Sequence, residues 1–297
     1  MIRLAHVSDV HVTVLKCRWS RNDWFNKRMA AWLNLRMLGR GRRFQHAESV
    51  LKILSQEIRE REIDHLVFSG DATALGFEEE VQLARQLFGL NDENPPPGMA
   101  VPGNHDYTTH DAMKGAFERH FTPWQAGERI AEMTYPFAQK VGHVWLIGLS
   151  SSTPNFWFWD ASGEVDQGQL ERLKTLIERI GEGPRILVTH YPLCTAKRNL
   201  EPRTHRLRNV KQVAEVTSEL GISLWLHGHR HAPYQLQENP YTNFPVICCG
   251  SSTQTGIWSY GEYTIDGWNL SGLRRKFDPE AKGFQDSETF TLQLTRN

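Results

Sequence analysis

Apolar residues in this chain gather into short runs set apart by polar and glycine-rich stretches. Ile2–Val7, His65–Phe68, Met99–Val101, Val144–Leu149, Arg185–Val188, Ile222–Leu226 and Pro245–Cys248 are each too short for a helix, and each gives way to polar residues or glycine. That pattern predicts buried strands. Between them, Ala47–Arg61, Glu78–Leu87, Asp166–Ile180 and Asn209–Leu220 carry a helical period. In the first of these, Val50, Leu51, Leu54 and Ile58 recur three or four residues apart, an apolar stripe that suits packing on a sheet. Strands alternating with helices predict an α/β layered core. Gln235–Leu294 differs, with Trp, Tyr, Thr and Gly turns but no helical period. It is expected to supply a second, more antiparallel sheet. No internal repeat or low-complexity linker interrupts the 297 residues, so a single domain over 1–297 is expected.

Composition narrows this picture by exclusion. With 39% hydrophobic residues, including 10 Trp and 14 Phe, the chain can build a sizeable core, which argues against disorder. Lys+Arg 34 against Asp+Glu 34 removes a globally basic nucleic-acid binder, so nucleic acid is not an expected partner. Cys17, Cys194, Cys248 and Cys249 form no C-x-x-C and no disulfide framework. The opening MIRLAHVSDVH has no signal-peptide pattern, and no run of 18 residues is continuously apolar. A cytoplasmic protein is expected.

Two segments exceed a minimal core. Lys16–Phe44 carries Lys16, Arg18, Arg21, Lys27, Arg28, Arg36, Arg40, Arg42 and Arg43 against a lone Asp23, interleaved with Trp19, Trp24, Phe25, Trp32 and Leu33. We treat positions 16–46 as a basic, aromatic-rich insertion. Its bland reading is a solvated helical insertion packed on its tryptophans. Its sharper reading is a cap that attracts an anionic substrate or an anionic lipid surface. The second segment is the aromatic loop Phe156, Trp157, Phe158, Trp159. It either walls the same pocket or covers a sheet edge. Arg18, Arg21 and Trp157 are the substrate-binding candidates.

The chemistry sits where the strands end. Ile2–Val7 is followed by Ser8-Asp9-Val10-His11, His65–Phe68 by Gly70-Asp71, and Met99–Val101 by Gly103-Asn104-His105-Asp106. Arg185–Val188 leads to His190, and Ile222–Leu226 to Gly228-His229-Arg230-His231. Five strands thus deliver Asp, Asn or His at their carboxyl ends, where ligand crevices of α/β sheets lie. Any single piece is weak, but the ordered set is not. It resembles the calcineurin-like metallophosphoesterase superfamily, with matches at every core motif from position 9 to 231.

The resemblance implies a four-layer α/β/β/α sandwich holding two divalent metal ions. Asp9, His11, Asp71 and His231 would surround the first, and Asp71, Asn104, His190 and His229 the second, with Asp71 bridging. Oxygen and imidazole donors without thiolate suit Mn²⁺ or Fe better than a closed structural zinc site. Two such ions would hold a bridging hydroxide as nucleophile and neutralise charge on the phosphoryl oxygens. His105, next to Asn104 but not itself a ligand, is the expected general acid. Asp106 is expected to fix its tautomer and raise its pKa.

Departures from the pattern narrow the family. Protein Ser/Thr phosphatases carry an Arg shortly after G-D, and purple acid phosphatases a Tyr three positions after that Asp. Here the segment reads Gly70-Asp71-Ala72-Thr73-Ala74-Leu75-Gly76. The bacterial cyclic-nucleotide phosphodiesterase-like branch is closer, through Asp9-x-His11 and Gly163-Glu164-Val165-Asp166-Gln167, although Ala72-Thr73-Ala74 replaces its usual Leu-Thr-Asp. The expected activity is hydrolysis of a phosphodiester or phosphoanhydride bond in a nucleotide-like, phosphorylated small molecule. The insertion is similar in kind to the basic caps of UDP-diacylglucosamine pyrophosphohydrolases of lipid A synthesis. This sets a second expectation, an enzyme peripheral to the inner membrane. A third reading, from another class, is a non-catalytic scaffold that kept the fold; the complete set of candidate ligands weighs against it.

The remaining candidates have structural readings. His227 and His6 are expected to pack or hydrogen-bond near their strands, Cys248-Cys249 to fill core volume, and Gly250-Ser251-Ser252 to form a turn at the crevice rim. His46, His65, His110, His120, His143 and His205 have no motif.

Overall fold

The computed structural model describes residues 1–296. Two sheets stack face to face. The first has the order β13-β12-β11-β1-β2-β3, built from β1 (Ile2–Val7), β2 (His65–Phe68), β3 (Gly98–Ala100), β11 (Ser259–Asp266), β12 (Asn269–Asp278) and β13 (Gly283–Gln293). The second runs β4-β5-β6-β7-β8-β10-β9. Its strands are β4 (Glu128–Arg129), β5 (Phe137–Val141), β6 (Val144–Gly148), β7 (Arg185–Val188), β8 (Leu224–His227), β9 (Tyr234–Leu236) and β10 (Val246–Cys248).

The alternation of side chains along each strand makes the layers. In β1, Ile2 and Leu4 face the space between the sheets, whereas Ala5 and Val7 face outward. In β8, Leu224 and Leu226 point inward and Trp225 outward. Both faces of these central strands are apolar, so each sheet needs a helical cover. On the first sheet this is α3 (Ala47–Glu60) and α4 (Glu78–Leu87), with Val50, Leu51, Leu54, Ile58, Val81 and Ala84 buried against it. On the second it is α6 (Gln167–Arg179) and α7 (Val210–Glu219), through Leu170, Leu173, Leu176 and Val213. The result is the expected α/β/β/α sandwich. Asp166 caps α6, accepting from Gln169 N at 2.9 Å, which explains why the polar stretch before it leads into a helix.

The C-terminal third is antiparallel, as its alternation suggests, but it makes no separate sheet. β11 pairs with β1 in antiparallel register, Ile2 opposite Ile265, so β11–β13 extend the first sheet. Tyr263, Ile265, Leu270 and Leu292 thereby join the core between the sheets. β10 instead pairs parallel to β8 in the second sheet. The segment before β6, which carries α5 (Ala116–Phe121) together with β4 and β5, has too short a period to be read from sequence.

The insertion leaves β1 as a 3-10 turn (Arg21–Phe25), then α1 (Lys27–Met37) and α2 (Arg40–Arg43). It docks through a small core of its own, in which Leu35 packs with Ala74, Leu75 and Phe77, flanked by Trp19 and Trp32. Asp23, the one acid of Lys16–Phe44, is paired within that segment: Arg28 Nη1 lies 2.5 Å from its Oδ1 in a buried contact. Arg28 also donates to the carbonyls of Leu75 (3.1 Å) and Gly76 (2.8 Å), tying the insertion to the loop after β2. No helix among the described residues is long and apolar enough to cross a membrane.

Candidate metal centre

The loops after β1, β2, β3, β7 and β8 converge on one point. Asp9, His11, Asp71, His229 and His231 all have positive φ, between 42° and 67°. Left-handed backbone at non-glycine residues is costly, and it persists only where surrounding structure over-determines it. Here the determinant is a ladder of loop-to-loop hydrogen bonds, Asp9 N to Gly70 O (2.9 Å) and His11 N to Asp71 O (3.0 Å). Two glycines permit the approach. A Cβ at Gly103 would lie 2.1 Å from Asp71 Oδ1, and one at Gly228 would lie 1.9 Å from Ser8 Oγ.

The first cluster is Asp9, His11, Asp71 and His231, whose donor atoms lie within 4.8 Å of one another. Its hydrogen bonds set what each atom can offer. His11 Nδ1 donates to Thr73 O (3.1 Å) and His231 Nδ1 to Gln254 Oε1 (2.5 Å). With that nitrogen committed, the free lone pair of a neutral ring lies at Nε2, and these two nitrogens face each other at 3.2 Å. Asp9 Oδ1 is buried without a hydrogen-bond partner, 3.2 Å from His231 Nε2. Its other oxygen accepts from Ser8 Oγ (2.7 Å) and His229 N (2.9 Å). Acceptors converging on acceptors repel unless a cation lies among them. This donor set fits a divalent metal.

The second group repeats the logic across Asp71. His190 Nδ1 donates to Ser69 O (2.9 Å), which turns Nε2 toward Asp71 Oδ2 (3.3 Å) and Asn104 Oδ1 (3.1 Å). His229 Nε2 donates to His205 O (2.9 Å) and points Nδ1 at Asn104 Oδ1 (3.0 Å). Asp71 Oδ2 also lies 3.5 Å from His11 Nε2, so one oxygen faces both groups, while Oδ1 accepts from His105 N (2.7 Å).

Electrostatics agree. Burial drives His229 down to about 3 and lowers His11, keeping both rings in the neutral form that can act as ligands. Burial also lowers His190, yet the Asp71 carboxylate outweighs it and lifts the ring to about 9, so this spot favours positive charge. Burial disfavours the Asp71 anion, but the imidazoles of His190, His105 and His11 hold it well below the usual carboxylate range. Together the buried Asp/His cluster and the second group across Asp71 suggest a binuclear divalent site.

All seven residues expected as ligands are brought together, and His105 stands beside them, its ring 4.8 Å from that of His11. Asp106 does something different from what its position suggests. Its carboxylate does not face the His105 ring. It accepts from the backbone N–H of Asp71 (2.9 Å), Ala72 (3.2 Å), Thr73 (3.0 Å) and Gly103 (2.8 Å), locking the two loops together. The His105 tautomer is set by Ala74 O, which accepts from Nδ1 at 2.8 Å. Nor is the ring raised; burial and then the Arg40 charge lower it well below the usual imidazole value.

The cavity over the cluster has a volume of about 420 Å³. Arg18, Arg21 and Trp157 do not line it. The Arg18 side chain is 97% exposed beside Glu79, Arg21 is exposed, and Trp157 stacks on Trp159 at 4.8 Å in the aromatic loop. The insertion reaches the cavity elsewhere. The Phe44 ring sits 4.6 Å from His11 and 5.7 Å from His231, and Arg40 Nη2 lies 2.8 Å from His105 Nε2. The only local sign of this is Gly39-Arg40-Gly41, an arginine between two glycines. Sequence reading also passed over His205 and Gln254, which orient His229 and His231. Ser251, in the turn expected at the rim, donates to Asp9 O at 2.7 Å. His227 lies outside both groups, bonded near Gly228 O (3.0 Å) and Tyr234 Oη (3.2 Å).

Residues 2–233 match the family model described as calcineurin-like phosphoesterase. None of the curated proteins compared matches the sequence. Several solved structures share the fold. A dimetal phosphatase from Danio rerio is 11% identical with 99% of both chains covered and a TM-score of 0.61. Purple acid phosphatase PPD1 from yellow lupin (Lupinus luteus) seeds is 13% identical, covering 98% of this chain and 53% of that one, at 0.59. GAP50, the anchor in the inner membrane complex of Plasmodium, is 13% identical over 99% and 89% of the chains, at 0.56.

Proposed function

The chain belongs to the calcineurin-like phosphoesterase family, whose members are metal-dependent phosphoric ester hydrolases, and we propose that it cleaves a phosphodiester or phosphoanhydride bond in a nucleotide-like small molecule. The observation that carries the site assignment is the convergence of lone pairs around the unpartnered Asp9 Oδ1. Asp9, His11, Asp71 and His231 would hold one cation, and Asp71, Asn104, His190 and His229 the other. The all-oxygen and imidazole donor set favours Mn²⁺ or Fe. When bound, such a pair supplies Lewis acidity toward the phosphoryl group and activates the attacking water.

The chain's own residues do the rest. Ser69, Thr73, His205 and Gln254 each take one ring N–H of a ligating histidine, so the opposite nitrogen is aimed before any ligand arrives. Asp106 holds the loops of Asp71 and Gly103 in register. His105 directs Nε2 into the cavity and, once it has taken up a proton there from solvent, is the general acid of this reading, its Nδ1–H remaining on Ala74 O. The test is metal analysis followed by a substrate panel under Mn²⁺. The panel comprises an aryl phosphomonoester, an aryl phosphodiester, cyclic nucleotides and a UDP-linked glycolipid. Preference for the monoester would refute the diester and anhydride reading while leaving the metal site intact.

A second reading, a nucleotide-linked lipid taken at a membrane surface, is favoured by one feature. A groove of about 650 Å³ lined by Leu15, Leu35, Met37 and Leu38 shares Leu38 and Phe44 with the site cavity. Trp24, Phe25 and Phe156–Trp159 are exposed, and Lys27 Nζ joins their two segments by donating to Asp160 O at 2.5 Å. Exposed aromatics beside Arg18 and Arg21 suit an anionic bilayer. Preferential turnover of the glycolipid, with co-sedimentation on anionic vesicles in moderate salt, would select this reading.

A further inference from the structure

We propose that Arg40 is the side chain of this site that grips a non-bridging oxygen of the substrate's phosphoryl group. The inference rests on the phosphoesterase reading and adds a residue to it. Arg40 reaches the cavity because the chain turns sharply there. Gly39, at φ +84°, ends α1, and Gly41 passes so close to it that a Cβ would lie 2.6 Å from Leu35 O. The turn is fixed on its far side by Phe44 against His11 and His231, and by Thr255 N donating to Arg43 O at 2.7 Å.

The guanidinium is under-used where it stands. Among the described residues its only side-chain hydrogen bond is to His105 Nε2, and no carboxylate lies within ion-pair distance of it. A guanidinium has five N–H donors and no acceptor, so the remaining donors have no protein partner. Charge balance points the same way. Two divalent cations held by Asp9 and Asp71 leave the centre net positive, and Arg40 adds to that excess. On their own, the carboxylates of Asp71 and Asp9 favour the Arg40 charge. Two cations held by the same carboxylates would offset that attraction, an incoming anion would restore it, and a planar guanidinium matches phosphate geometry. Because arginine can only donate, His105 Nε2 is the acceptor in their contact. A phosphoryl oxygen is the stronger acceptor, and transfer of Arg40 to it frees Nε2, which can then take up a proton from solvent and pass it to the leaving oxygen while Nδ1–H stays on Ala74 O.

The test is calorimetric titration of the metal-reconstituted full chain with inorganic phosphate, with metal content measured on every sample. Arg40→Ala is expected to weaken phosphate binding by about 10- to 100-fold at unchanged metal content, as loss of a charged hydrogen bond does. Arg40→Lys should recover part of the affinity, since it keeps the charge without the planar fork. Arg42→Ala, which faces the groove on the other side of α2, should bind phosphate as the parent does. In turnover, Arg40→Ala should raise KM more than Arg42→Ala does. Parental phosphate affinity in a fully metallated Arg40→Ala would overturn the Arg40 assignment alone. A metal-loaded parent that binds no phosphate would overturn this proposal, while the substrate panel decides the phosphoesterase reading separately. Should Arg40→Ala fail to fold, Arg40→Met, which keeps the apolar stem without the charge, takes its place. Parental phosphate affinity in that fully metallated variant would overturn the assignment, and a loss of about 10- to 100-fold, the size expected for Arg40→Ala, would support it.

Discussion

In the loops that follow β1, β2, β3, β7 and β8, the side chains that face the site are buried or half-buried and, Asp9 Oδ1 apart, held by hydrogen bonds. Asp9, His11 and His190 are wholly buried and Asp71 nearly so, and their backbones are pinned loop to loop. The insertion over residues 16–46 is the reverse. Trp24, Phe25, Met37 and Leu38 face outward, and the segment is held by a four-residue core with its flanking rings, by Phe44 against the site histidines, and by a few single hydrogen bonds between Lys27, Arg28 and Arg43 and other loops. The difference separates two jobs. The floor must hold charged and lone-pair groups within tenths of an ångström, so it is built from strand ends that the whole sandwich supports. The strap has only to present a cation and apolar surface, so it can be weakly docked and still change what the floor acts upon.

The largest effect should come from breaking the floor. Asp71→Asn removes the oxygen that faces both groups, and turnover should fall by at least about 10³-fold, beyond the loss of a single electrostatic stabiliser. Elemental analysis should show metal lost with it. His105→Ala separates binding from chemistry within the floor: both metals should stay while turnover drops about 10²- to 10⁴-fold. Full activity in that variant would place the acid elsewhere.

The strap should break more gently. Arg28→Ala leaves Asp23 buried without its partner, a local cost of about 3 kcal/mol for a buried pair. Limited proteolysis should then cut between residues 16 and 46 while the metal content holds; loss of metal instead would mean that strap and floor are one unit. Replacing Trp157 and Trp159 by Ser should move global stability by no more than about 0.5 kcal/mol in thermal melts, because both are exposed. Under the membrane reading the same change abolishes vesicle co-sedimentation.

A pH dependence probes the loop that joins the two regions. Glu80 accepts from Leu75 N (2.9 Å) and Phe77 N (3.3 Å), on the loop where the strap docks, and burial lifts its carboxyl from 4.5 to about 8 despite those bonds. Below about pH 4.5 the group is protonated folded or unfolded, so it contributes no slope. From there to about pH 8 only the unfolded chain gives up the proton, and stability should fall as pH rises. Melting temperatures of Glu80→Gln across that window should show a flatter slope than the parent, and an unchanged slope would reject the shift.

How much of this was legible follows from how local each cause is. Short apolar runs ending in Asp, Asn, His or Gly marked the strands of the catalytic edge, because strand burial and the turn after it are written in adjacent residues. Asp106 misled for the same reason: neighbouring in sequence to His105, it is turned by the loop toward four backbone amides contributed by other segments. The C-terminal hairpins announced themselves as antiparallel, but not which sheet they would extend, since β1 leaves an open edge only once the parallel strands have packed on its other side.

Sequence by itself determined the layered class, through periodicity, and the Asp, Asn and His motifs at strand ends on which the family resemblance, and the seven ligands it implies, rest. Only the tertiary structure decided that Arg40, rather than Arg18 or Arg21, enters the cavity, that carbonyls and amides set the imidazole tautomers, and that Lys27 of the insertion bonds to Asp160 beside the aromatic loop. Those outcomes depend on how one docked segment is rotated against another. That rotation is fixed by packing such as Leu35 on Leu75 and Phe44 on His11, contacts between residues far apart along the chain.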